Sequence, residues 1–88
     1  MLTQTFHALA EPNRQKILDL LKKGEMTVTE IGSHLNITMA TLSHHLDILK
    51  RSNLISGRRE GQQIFYSLNF SVFEELMEQI SKFFTIKH

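Results

Sequence analysis

The chain has 88 residues, room for one domain, expected to span residues 1–88. Hydrophobic residues make up 41% and charged residues 22%, with four Gly and one Pro, which excludes disordered, collagen-like and low-complexity classes. The net charge of +1 is silent on nucleic acid, whereas the lack of any cysteine excludes disulfides, thiolate metal sites and cysteine nucleophiles.

Leu2, Phe6 and Leu9 recur at helical spacing and predict a short first helix over residues 2–10. The segment Ala10-Glu11-Pro12-Asn13 interrupts it. Pro12 suits the first position of a second helix, where its missing N–H needs no partner. That helix is expected to run to about Lys23 and to bury Ile17, Leu18 and Leu21. Lys22 and Lys23 suit its negative end, and Gly24 suits its stop.

Thr27-Val28-Thr29-Glu30 has the capping-box pattern, a hydroxyl followed three residues on by a carboxylate. A short third helix follows, with Ile31 and Leu35 inward. Asn36-Ile37-Thr38 is a tight break, and Thr38 caps a fourth helix from Met39 to about Ser52. Leu54-Ile55-Ser56 and Ile64-Phe65-Tyr66-Ser67-Leu68 read as two strands. Gly57 to Gln62 lies between them as a polar loop, which makes a hairpin with a basic tip. Ser71-x-x-Glu74 reads as a second capping box. The helix it opens carries Phe73, Leu76, Met77, Ile80, Phe83 and Phe84 on one stripe.

The fold class expected is therefore mainly α with a β-hairpin wing, a winged helix-turn-helix. No basic n-region precedes an apolar run at Met1-Leu2-Thr3-Gln4, so no signal peptide is expected. No stretch approaches the roughly 18 apolar residues of a membrane span, and the expected location is cytoplasmic. A chain this short buries only about 60–65% of its unfolded surface. It is either a monomer of thin margin or one that gains core from a second copy.

Charge is unevenly spread. Residues 1–37 balance, and residues 67–88 carry −1. Residues 38–66 carry Lys50, Arg51, Arg58 and Arg59 against Asp47 and Glu60, a local +2. Clustering on one face matters more to phosphate contact than the total.

With Leu42 at the core and steps of about 100° per residue, Ala40, His44, Asp47 and Arg51 fall on the outward face of helix four. Thr38, Ala40, Thr41, Ser43 and His44 make the first half of that face, with no carboxylate among them. A recognition helix reads base edges with such N-terminal residues, and small side chains let it approach the groove floor. Met39 stands at the helix start, placed either to pack or to touch a thymine methyl. His44 and His45 point about 100° apart and do not chelate one ion together. His45, beside Leu42, Leu46 and Leu49, reads as a semi-buried packing residue with one satisfied nitrogen. The candidate DNA contacts are thus Thr38, Met39, Ala40, Thr41, Ser43, His44 and Arg51, with Arg58, Arg59 and Gln62 from the wing.

The strings EPNRQKILDLL, LNITMATLSHHLDILKRSNLI and GRREGQQIFYSL resemble the ArsR/SmtB family of winged-helix repressors. The resemblance covers about residues 3–84, and Ser43-His44-His45-Leu46 followed by the Arg-Arg-Glu-Gly wing is its most specific part. It implies a homodimer paired through the first and last helices, bound to a palindromic operator in double-stranded DNA. The interface residues would be Leu2, Phe6 and Leu9 with Phe73, Leu76, Met77, Ile80, Phe83 and Phe84. Those two stripes are also more apolar surface than so small a core absorbs.

Two departures from the family bear on its signal. Where metal-sensing relatives carry Cys-x-Cys, this chain has Glu25 to Glu30 with threonines, so thiolate sensing is excluded by residue type. Zinc-sensing relatives pair His with carboxylates on the last helix. Here Glu74, Glu75 and Glu78 have only the terminal His88. No metal and no cofactor is expected. Glu11 replaces the usual Asp before the proline, a poorer cap because its longer side chain must bend back. The pattern is that of the short cysteine-free members, similar to the sporulation-delay repressor subgroup, where a protein anti-repressor is a possible trigger. The expected function is a dimeric DNA-binding regulator, a repressor of a nearby operon. The alternative is a winged-helix protein-interaction module with secondary DNA binding. An enzyme is not expected, since no nucleophile has a base in reach and adjacent Ser43 and His44 are no catalytic geometry.

Overall fold

The computed structural model describes residues 2–84, with side chains from Thr3 onward. The side chain of Leu2, expected at an interface, and the terminal His88 lie outside the described residues. Helix α1 (Leu2–Leu9) is followed by α2 (Pro12–Leu21), with Pro12 in the first turn as its fixed φ requires. Glu11 does bend back: its carboxylate accepts the Arg14 amide at 3.0 Å. Helix α2 ends two residues before Lys23, and Gly24 takes φ +149, a conformation open to glycine.

A strand that the sequence did not announce comes next. Met26–Thr27 forms β1, two residues long and too short to show a period. Thr27 then caps α3 (Val28–Gly32) through the expected capping box. Its hydroxyl accepts the Glu30 amide at 3.1 Å, and the Glu30 carboxylate accepts the Thr27 amide at 2.8 Å. Leu35 lies beyond the end of α3, half-buried in the connection to the next helix.

Thr38 caps α4 (Met39–Arg51). This helix ends in a Schellman motif. Asn53 takes φ +62, its amide donates to the Lys50 carbonyl at 2.9 Å, and the Leu54 amide donates to Leu49 at 3.1 Å.

The wing differs from its expected form. Strand β2 (Ile55–Glu60) runs straight through Gly57, Arg58 and Arg59 and pairs with β3 (Gln63–Leu68). Only Gly61 and Gln62 form the turn, with Gly61 at φ +64. Positive φ at the first central residue alone is the pattern of a II′ hairpin. Gly57 looks like a breaker, yet its place is steric. A Cβ there would stand 3.1 Å from Cε1 of Tyr66 and 3.3 Å from Cγ2 of Ile64. Arg58 and Arg59 are therefore strand residues, not tip residues. The three strands are antiparallel in the order β1-β3-β2.

The last helix, α5 (Phe70–Phe84), starts one residue before Ser71, and the Phe73 amide donates to the Asn69 carbonyl at 3.0 Å. Ser71 thus sits inside the first turn, and Ser71-x-x-Glu74 is not a capping box. Asn69 ties this start to the end of α4, its amide donating to Leu54 at 2.9 Å and its carboxamide to Asn53 at 3.1 Å.

One core joins all of the helices and the sheet. It includes Ala8, Ile17, Leu21, Ile31, Leu42, Leu49, Leu54, Tyr66 and Leu76. Leu76, expected on an interface between copies, is spent on the core of the single chain at 4% exposure. Phe6, Met77, Phe83 and Phe84 stay exposed, and Leu9, Phe73 and Ile80 are half-buried. No described helix is long and apolar enough to cross a membrane.

The left-handed Asn53 gives a direct check. Asn53→Ala should lower stability by about 1 kcal/mol, because alanine keeps the Cβ that crowds this region and loses the short polar side chain that lets asparagine occupy it. In thermal unfolding this is a fall in Tm of about 4–8 °C. Asn53→Gly should hold the wild-type Tm, and an unshifted Ala variant would contradict the conformation.

Candidate nucleic-acid interface

Helices α3 and α4 and the hairpin β2-β3 make a winged helix-turn-helix. The two helices close together at Gly32, where a Cβ would come within 3.3 Å of Leu42 Cδ2. Leu42, His45, Leu46 and Leu49 bury one side of α4. Thr38, Met39, Ala40, Thr41, Ser43 and His44 lie exposed on its other sides. Met39, at 57% exposure, stands out from the core and does not pack into it.

The first turn of α4 is organised by hydroxyls. Thr38 Oγ1 accepts the Thr41 amide at 3.1 Å and donates to Thr41 Oγ1 at 2.9 Å. The Thr41 hydroxyl is left to donate outward. The first carboxylate along α4 is Asp47, and it is held by Arg51 one turn on, in the favourable acid-before-base order. The Asp47 charge is also felt on β3. Burial first, and that carboxylate second, push the Tyr66 phenol above its ordinary range.

The basic wing is less free than the sequence implies. Arg58 lies opposite Phe65 across the ladder, and its guanidinium stands 4.9 Å from that ring's centroid. It crosses β3 to reach Glu25, just before β1, donating at 2.9 Å and 3.4 Å to the two carboxylate oxygens. A second ion pair joins it to Glu60 at 3.3 Å. The bond to Glu25, then that to Glu60, raise the Arg58 guanidinium above its already high value. Arg59 lies opposite Ile64 on the other face of the hairpin, exposed. Within the basic segment Lys50 and Arg59 are the cations without an ion pair among the described residues. Gln62 is exposed in the turn.

Behind α4 lies a polar cluster that the sequence only half shows. His45 is buried, as expected, and its Nδ1 meets Arg14 Nη1 at 3.0 Å. Arg14 is itself 5% exposed. Its Nε donates to the Ala8 carbonyl at 2.8 Å and its Nη2 to His7 at 3.1 Å. Glu11 Oε1 faces His45 Nε2 at 3.7 Å. Burial pushes the Glu11 carboxyl up, but the Arg14 and Asn13 backbone bonds and electrostatic attraction to the His45 and Arg14 side chains carry it below its ordinary value. Sequence reasoning missed Arg14 and Glu25 as site residues. Arg14 had a signal in its place, one turn into a helix whose N-cap is an acid. Glu25 had none, being 33 residues from Arg58. Among the described residues no three His, Asp or Glu side chains gather where they could hold a metal ion.

Comparison with known proteins matches this architecture. The family model described as bacterial regulatory protein, arsR family, fits residues 11–56, which runs from the cap of α2 into β2. The transcriptional repressor SdpR of Bacillus subtilis (strain 168) is 45% identical over 82 residues, covering 93% of this chain and 91% of that protein. Among solved structures, a possible transcriptional regulator for arsenical resistance superposes with TM-score 0.81 at 28% identity, over 88% of this chain and 80% of the other. A homodimeric winged helix-turn-helix DNA-binding domain from Mycobacterium bovis, a possible ArsR-family regulator, does so with TM-score 0.73 at 28% identity, over 99% and 87%. The chain belongs to the arsR family of bacterial regulatory proteins and is a DNA-binding transcriptional regulator, not an enzyme.

Proposed function

We propose that two copies of the chain pair through α1 and α5 and repress transcription by binding a palindromic operator. The observation that carries the reading is the exposed, carboxylate-free start of α4. Helices entering a major groove present such residues to base edges. Thr38, Thr41, Ser43 and His44 offer donors and acceptors, and Ala40 and Met39 offer apolar contact to thymine methyls. Arg59 and Gln62 from the wing, with Arg51 at the far end of α4, face the backbone or the adjacent minor groove. Arg58, already held by Glu25, Glu60 and Phe65, steadies the strand that carries Arg59.

Dimerisation is supported by what the single chain leaves uncovered. Phe6 is 39% exposed, Met77 40%, Phe83 63% and Phe84 82%. Pairing identical patches about a two-fold axis buries them and places two copies of α4 for two half-sites. The homodimeric M. bovis domain and the repressor SdpR support the same reading by likeness.

A mobility-shift assay on an imperfect palindrome from the chain's own promoter region tests it. The expected result is a dimer–DNA complex that weakens by about 10³-fold between 50 and 200 mM salt, as neutralising several phosphates would require. No shift on any promoter-proximal fragment at 50 mM salt, or a monomer in sedimentation at the binding concentration, would overturn the reading.

The two sets of DNA-facing residues should separate by mutation. Arg59→Ala should weaken binding to every sequence and lower the salt slope by about 1 for each phosphate no longer neutralised. Thr41→Ala should instead change preference at one base pair of each half-site, by about 1–3 kcal/mol.

A further inference from the structure

The guanidinium of Arg14 holds only N–H donors and never accepts a hydrogen bond. Its buried contacts are therefore all donations: Nε to the Ala8 carbonyl at 2.8 Å, Nη2 to the His7 carbonyl at 3.1 Å, and Nη1 to His45 Nδ1 at 3.0 Å. Both carbonyls belong to the last turn of α1, where helix geometry leaves them without i+4 amide partners; that of His7 also accepts the Ala10 amide at 3.1 Å. Gln15 takes the next carbonyl, Leu9, at 2.7 Å. Side chains of α2 thus collect the end of α1, and Arg14 alone continues on to α4.

The contact with His45 has a chemical condition. Nδ1 must present its lone pair, so the ring is neutral and its proton sits on Nε2, which faces Glu11 Oε1 at 3.7 Å. A protonated ring would set an N–H against an N–H at the Arg14 contact, with two cations side by side. The titratable and charged groups that face His45 are Glu11 and Arg14, from the start of α2, and His44 beside it on α4. From α1 it meets the carbonyls of His7 and Ala8 only through Arg14.

We propose that Arg14 is a positioning residue for DNA recognition, fixing the reading helix α4 to the end of α1 through the neutral imidazole of His45. The proposal rests on the reading of α4 as the DNA-contacting helix and of α1 as part of the dimer. It adds that the placement of the two helices is one linked quantity. Burial is the main force holding His45 neutral, Arg14 and His44 act with it, and Glu11 acts against it. The net result is a proton affinity below that of an ordinary histidine. The link is intact at and above neutral pH. It is lost below the ordinary histidine value of about 6.5, as pH falls through the lowered native one and the ring takes its proton.

The test compares the wild type with His45→Asn, whose carboxamide oxygen accepts from Arg14 but does not titrate. Both proteins carry His7, His34, His44 and His88, so any difference between their pH profiles belongs to position 45. Operator affinity is measured at fixed salt from pH 8 to 5.5, with circular dichroism and sedimentation at each pH to confirm folded dimer. The wild type should lose affinity progressively below about pH 6.5, by clearly more than about two-fold at pH 5.5, as the competent fraction falls. His45→Asn should match the wild type at pH 8 and stay within about two-fold down to pH 5.5. A flat wild-type profile, or a variant that follows the wild type, would overturn the link. If the Asn variant does not fold, His45→Gln replaces it under the same criteria. If the wild type fails to bind the operator at pH 8, the operator reading fails separately. Amide protection of α4 in the DNA-free protein then decides the link. Acid-induced loss of protection in the wild type alone supports it, and equal loss in both proteins overturns it.

Discussion

Arg14 carries a full positive charge into the crossing of three helices, and the surroundings have to satisfy every N–H that loses water. A buried cation is tolerated only when its hydrogen bonds are complete. Here three of its five N–H groups are met by the last carbonyls of α1 and by a ring nitrogen of α4. Much else follows from that demand. The break between α1 and α2 has to turn the chain so that α1 ends beside Arg14. Glu11 serves that turn by capping α2 from the residue before Pro12. Helix α4 has to present His45 inward, which fixes its rotation and so decides that Thr41 and His44 face out. Removing one hydrogen-bond partner of a buried charged group typically costs about 1.5–3 kcal/mol.

The helices were legible because each carries its own signal. Apolar residues at helical spacing marked α2, α4 and α5, while Thr27 with Glu30, and Thr38, marked starts by side-chain chemistry. What escaped was set by contacts between distant segments. Two residues of β1 have no period of their own and become a strand only because Tyr66 and Phe65 lie opposite. Gly57 read as the end of a strand, yet it is there to admit the Tyr66 ring. Ser71 with Glu74 had the spacing of a cap. Asn69, which binds both Asn53 and Leu54, fixed the start of α5 instead. Leu76 lay on the same stripe as Phe83 and could not be told from it by period, although one is core and the other exposed.

The site shows the same division. The residue types at the start of α4 were readable, because an exposed helix face without Glu or Lys is unusual at any spacing. The inward role of His45 was readable from its leucine neighbours. The charge of the wing was not. Summing charges along residues 38–66 treats Arg58 as free, but the sheet brings Glu25 to it from outside that window. The basic surface is narrower than the sequence implies, and Arg59 is its unpaired member on the wing.

The pair of Arg58 with Glu25 is exposed on both sides, 52% and 40% for the two side chains. Surface pairs of this kind weaken as mobile ions accumulate around them, over a screening length of about 8–10 Å at 0.1–0.15 M. Added salt therefore acts twice on the same hairpin. It competes for the phosphates, and it loosens the strut that orients the strand reaching for them. The steepness of binding against ionic strength is then a compound quantity. It mixes ions displaced from DNA with an internal softening of the protein, and the number of phosphates inferred from that slope alone comes out too high.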